Sequence, residues 1–128
     1  MGEWKQCDTV ELTLPASKDM MLVARLATAG VVARAGLTLD ALDDVKMAVE
    51  EACLFLMDQA VVPERLRLAF ALCPGRISVE IAREGEQGQR EGADPAELEV
   101  VRCILQSLVR AVEIRTREDG VASIRLEA

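Results

Sequence analysis

The chain has no histidine and no tyrosine, and only two phenylalanines and one tryptophan among its 128 residues. Without histidine there is no Ser-His or Cys-His nucleophile pair, and most zinc sites lose a usual ligand. A basic excess is missing too: 15 Lys and Arg stand against 22 Asp and Glu, a formal charge of −7. Phosphate backbones demand a positive patch, so this balance argues against direct binding to DNA or RNA and suits a basic protein partner. No apolar run approaches the ~20 residues of a membrane-crossing helix. The opening MGEWKQCDTVE lacks the hydrophobic stretch of a signal peptide, and Gln6 stands where N-myristoylation prefers Ser or Thr. The expected address is therefore the cytoplasm. The length fits one domain over residues 1–128, burying roughly two-thirds of its unfolded surface.

Cys7, Cys53, Cys73 and Cys103 form no C-x-x-C pair, and two of them fall in apolar periodic segments. They read as small reduced core residues rather than as a disulfide or a metal site.

What is present is periodicity. From Thr38 to Ala60, apolar residues recur at Leu42, Val45, Val49, Ala52, Leu56 and Ala60, the three- and four-residue steps of one buried helical stripe. Thr38 suits an N-cap, and Asp40, Asp43 and Asp44 suit the positive end of the helix dipole. A second face aligns Asp44, Met47, Glu51, Phe55 and Asp58, so that Glu51 is a charge hemmed by Met47 and Phe55.

Elsewhere, Val10, Leu12 and Leu14 alternate as a strand that Pro15 ends, and Ser17 opens a helix to about Ala35. Its apolar side is expected from Leu22, Leu26, Ala27, Gly30, Val31 and Ala33, with Gly36 closing it. Leu66 to Leu72 and Ile77 to Ile81 alternate on either side of Pro74-Gly75, an antiparallel hairpin. Arg83 to Pro95 is polar, glycine-containing and without period, and reads as a mobile loop. Pro95 opens a third helix with Leu98, Val101, Ile104, Leu105 and Leu108 inside. Two more strands follow, around Val112 to Ile114 and Val121 to Leu126, joined at Gly120. The order β-α-α-β-β-α-β-β predicts a two-layer α/β sandwich, with helices on one face of a largely antiparallel sheet.

The run DDVKMAVEEAC, with Asp44, Lys46, Ala48, Val49, Glu51, Ala52 and Cys53, resembles the N-box helix of the anti-sigma factor serine kinases of the RsbW/SpoIIAB type. These belong to the GHKL ATPases, whose Bergerat fold has the same order of elements. Residues 22–36, with V-A-R-L-x-x-x-G-V-x-x-R-x-G, resemble the family's first helix. The resemblance implies Mg-ATP as cofactor, Glu51 as general base, a homodimer, and a sigma factor or a STAS-type anti-anti-sigma protein as partner. It places Arg25 at a partner-contacting position. The alternative is that Arg25 and Arg34 are the solvated side of an amphipathic helix.

The match breaks at the nucleotide. Phe55 stands where the family holds magnesium with Asn, and Gln59 where a His often follows. Arg83 stands where an Asp receives the adenine amino group, although Gly85 of that triplet remains; a guanidinium has donors only and cannot accept that bond. Glu99 and Val101 fall where glycines let the backbone approach the phosphates, so Glu99 would face the triphosphate and Val101 would obstruct the chain. The expectation is that ATP and magnesium binding are lost, leaving a regulatory binding module. Phe55, Met47 and Leu54 would then fill the old site. Glu51 would remain as an inherited carboxylate or pair with Lys46 or Arg83. The alternative is an active serine kinase with an altered site, its magnesium held by Asp44 or Asp58.

Overall fold

The computed structural model describes residues 7–92 and 94–128; the readings made on residues 1–6, including Gln6, lie outside the described residues. The chain runs through β1 (Asp8–Pro15), a 3₁₀ turn at Lys18–Met20, α1 (Met21–Arg34) and α2 (Leu39–Met57). Then come β2 (Val61–Val62), β3 (Arg65–Cys73), β4 (Arg76–Glu84), β5 (Gly88–Gln89), α3 (Ala96–Leu108), β6 (Ala111–Arg117) and β7 (Gly120–Glu127). Five strands form one sheet in the order β1-β3-β4-β7-β6, every neighbouring pair antiparallel.

Alternation decides which face meets the helices. In β3 the side chains of Leu66, Leu68 and Phe70 are buried, and in β4 those of Ile77, Val79 and Ile81. The register sets Leu68 opposite Ile81 and Phe70 opposite Val79, so the two sets form one apolar surface. Against it α2 lays Val45, Val49, Ala52 and Leu56, all buried. Val45, Val49 and Leu56 each contribute about 1.5–3 kcal/mol of transfer free energy. Thr38 caps the helix, its Oγ1 accepting from the Ala41 N–H at 3.1 Å. The other face of the sheet carries charges, among them Arg67, whose Nε lies 3.0 Å from Glu84 and whose Nη1 lies 3.7 Å from Glu11.

Three expectations need correction. On α1 the buried residues are Met21, Ala24, Thr28 and Val32, while Leu22 and Leu26 are 57% and 65% exposed. Apolar residues surround this helix, so its sequence does not mark which side docks; burying the stripe through Ala24 and Thr28 leaves the leucines outside. Thr28 avoids an unmet hydroxyl by donating to the Ala24 carbonyl at 2.7 Å.

The cysteines are not all reduced core residues. Cys7 and Cys73 are joined as a disulfide with Cα atoms 4.6 Å apart. They come together because Asp8 pairs with Leu72, and the next facing position brings the two cysteines opposite each other. Cys103 is exposed and only Cys53 is a buried free thiol. Burial, followed by the nearby Glu50 charge, pushes Cys53 up to about 12.

The stretch from Arg83 to Pro95 is not wholly a loop. β4 extends to Glu84, and β5 pairs with β2 in a separate two-stranded ribbon, Val61 opposite Gln89. Two-residue strands leave too few alternating positions to be read from a sequence. Gly85, at φ +69°, makes the turn between β4 and β5, and a Cβ there would come within 2.9 Å of the Glu64 Cβ. The positive φ and this close approach both call for glycine there.

Candidate functional site

The C-terminal half of α2 faces α3, and between them lies a groove of about 360 Å³. α2 supplies Glu51, Leu54, Phe55 and Asp58; α3 supplies Glu97, Val100, Val101 and Ile104. Each quartet follows the same i, i+3, i+4, i+7 spacing, which places one face of each helix on the groove. A second cleft of about 340 Å³ runs from Phe55 and Glu97 under the turn joining β6 to β7, with Asp94, Glu118, Asp119 and Arg117 on its walls. Shared lining by Phe55 and Glu97 makes the two continuous.

Gln59 fixes this end of the molecule. Its Oε1 accepts from the Val121 N–H at 3.1 Å and its Nε2 donates to the Phe55 carbonyl at 3.4 Å. The side chain thereby ties the end of α2 to the start of β7. Gly120 makes room for it, since a Cβ there would meet Gln59 Oε1 at 2.9 Å. Sequence reasoning noticed Gln59 only as a replacement; its partner is 62 residues away, and no local pattern announces it.

Of the residues singled out by sequence, the fold brings Glu51, Phe55 and Val101 to one groove. Phe55 is 7% exposed, yet Met47 is 55% exposed and does not line it. Phe55 joins the core and Leu54 packs against it, while Met47 stays outside and the space beyond Phe55 is open. Arg83 does not meet Glu51. Its side chain is 6% exposed and its Nη2 donates to Asp119 Oδ1 across to the β6–β7 turn. Lys46 lies 4.0 Å from Asp43 instead. Among the described residues Glu51 has no ion pair.

Glu99 points away from the groove. It is two residues from Glu97, about 200° around the helix, and pairs with Arg102 at 3.6 Å. The α3 carboxylate that does face the groove is Glu97, four residues before Val101. Gly85 sits in its turn outside both lining sets. Arg25, on α1, is half-exposed with its Nε 3.4 Å from Glu50 Oε1. Among the described residues no three His, Cys, Asp or Glu side chains converge in a way that could hold a metal ion.

No protein-family model matches the chain. The serine-protein kinase RsbW of Halalkalibacterium halodurans is 34% identical over 82 residues, 63% of this chain and 51% of that protein. RsbW of Bacillus subtilis is 32% identical over 82 residues, 62% of this chain and 51% of that protein. Over that shared stretch the chain is similar to the RsbW serine-protein kinases. The crystal structure of the RsbU and RsbW domains of Rv1364c from Mycobacterium tuberculosis superposes with a TM-score of 0.71 at 16% identity, over 94% of this chain and 32% of that one. At that identity the likeness speaks for the fold, which is the GHKL type expected of an RsbW relative. The RsbW-like chain spans about half the length of the curated relatives it matches.

Proposed function

We propose that this RsbW relative is a regulatory binding module that holds a sigma factor or a STAS-type anti-anti-sigma partner through α1, acts as a homodimer, and does not use Mg-ATP. The observation that carries the reading is on α1: Leu22 and Leu26 are left uncovered on the strip that also presents Arg25. An arginine between exposed aliphatic side chains combines a directed charge with apolar area, the composition of interface anchors.

The cleft supports the second half. Glu51, Asp58 and Glu97 line the groove without a single Lys or Arg. Phe55, a side chain that cannot ligate a cation, occupies the position where the family holds magnesium. A carboxylate ~5 Å from a phosphate oxygen opposes binding by about 3 kcal/mol at an effective dielectric of about 20. Three of them, about 9 kcal/mol together, match the roughly 8 kcal/mol of a micromolar affinity. The residues present do not fit a magnesium triphosphate.

Arg25→Glu should abolish capture of the cognate partner in a pull-down while leaving the thermal melt unchanged; capture at wild-type level would remove α1 from the account. One observation favours the other reading, a working serine kinase: Glu51 and Asp58 share a groove. Labelled ATP with a STAS partner separates the two. Phosphoserine would establish the kinase, and calorimetric Mg-ATP binding at micromolar concentration would refute the loss of nucleotide.

A further inference from the structure

We propose that the groove between α2 and α3, with the cleft that continues it, docks a Lys/Arg-rich amphipathic helical segment of a partner protein. This deepens the reading above and rests on its claim that the cleft takes no Mg-ATP.

The floor is apolar and built. Leu54, Phe55 and Val101 form it, and the wall on α3 is raised by Val100 and Ile104, 59% and 37% exposed. A single exposed aliphatic side chain needs no explanation, but two on one helical face beside an open groove mark a surface shaped for an apolar ridge. The cause is the shallow seat of α3: Leu105 is its only fully buried residue, while Leu98, Val101 and Leu108 are half-covered.

The rim selects the charge of the occupant. Glu51 and Asp58 stand on α2 and Glu97 on α3, so carboxylates flank the apolar floor on both sides. None of the three has an ion pair among the described residues. Arg90 donates to the backbone carbonyl of Asp58 and forms no ion pair with its carboxylate. In the continuing cleft Asp94 and Glu118 add two more charges against Arg117, Asp119 being already held by Arg83. Like charges around a low-dielectric floor repel one another, and a cationic side chain that snorkels from an apolar ridge relieves the repulsion. An amphipathic helix with leucine-like anchors at i, i+3, i+4 and i+7 and lysines beside them satisfies floor and rim together. An acidic helix or a free nucleotide meets the rim with the wrong sign.

The test uses a labelled synthetic Leu/Lys amphipathic peptide, its Leu/Glu counterpart, and fluorescence anisotropy with the full chain. The Leu/Lys peptide should bind, weaken at least ten-fold with Glu97→Lys, weaken similarly with Val100→Ser, and weaken with salt. Arg25→Glu should leave its affinity unchanged, and the Leu/Glu peptide should not bind. Both groove residues are exposed, so unchanged melting curves separate lost docking from lost folding. Equal binding to Glu97→Lys would overturn the proposal, because it would place the peptide elsewhere on an acidic surface; so would absence of binding, or binding of magnesium ion alone. A parallel Mg-ATP titration distinguishes the failures: nucleotide binding sinks the reading on which this rests, whereas peptide failure without nucleotide binding sinks this inference only.

Discussion

Replacing Gly120 with alanine tests the joint that holds the cleft in shape. The residue sits at φ +123°, and an added Cβ would lie 2.9 Å from Gln59 Oε1. A backbone held in that region costs a residue with a Cβ about 1–3 kcal/mol. Gln59 could swing aside, but its oxygen is the acceptor for the Val121 N–H at 3.1 Å, and Val121 is buried. Leaving that donor unmet costs about 1–3 kcal/mol more. The sum, about 2–6 kcal/mol, is a large part of the 5–15 kcal/mol that ordinary domains possess. Urea unfolding followed by circular dichroism reads it directly, as a midpoint lowered by about 1–3 M at a slope of about 2 kcal/mol/M. The decisive measurement is the double-mutant cycle. With Gln59→Ala already in place the Val121 bond is gone, so Gly120→Ala should then cost only its backbone share, and the two substitutions should couple by about 1–2 kcal/mol. Costs that add within about 0.5 kcal/mol would refute the joint.

The Cys7–Cys73 disulfide closes a separation of 66 residues, for which unfolded-chain entropy gives about 4 kcal/mol. Reduction with a phosphine, or either Cys7→Ser or Cys73→Ser, should lower the unfolding free energy by about 2–4 kcal/mol, and identical curves with and without reductant would contradict the bond. In the native protein a thiol reagent should label Cys103 and spare Cys53 until denaturant is added, as mass spectrometry can count. Because Cys53 is pushed from 9.0 up to about 12 by burial and then by Glu50, the unfolded chain loses that proton first. Its contribution to stability is whole below pH 9 and declines as pH rises towards 12. Cys53→Ala should flatten that part of the pH–stability curve, and an unaltered slope would argue against the shift.

Much of the architecture was legible because it depends on local repetition. The stripe from Val45 to Leu56 and the alternation of Leu66 to Phe70 and Ile77 to Ile81 each specify an element and its buried side. Pro74-Gly75 specified the hairpin between the last two. The stripe on α1 was misread for the same physical reason: where apolar residues encircle a helix, the side facing the sheet is chosen by packing, and Leu22 and Leu26 were left outside. The ribbon of β2 and β5 was missed because two-residue strands have no period to detect.

The sequence by itself determined the three helices and the five strands of the main sheet, their order, the acidic balance and the helix carrying Glu51 and Phe55, since each follows from spacing and side-chain chemistry along a few turns. Tertiary structure alone decided that Cys7 reaches Cys73, that Arg83 goes to Asp119 rather than Glu51, and that Glu97 rather than Glu99 faces the groove. Those outcomes depend on how strands register and how helices rotate against the sheet. Both are fixed by contacts between residues far apart in the chain, which no run of neighbouring residues encodes.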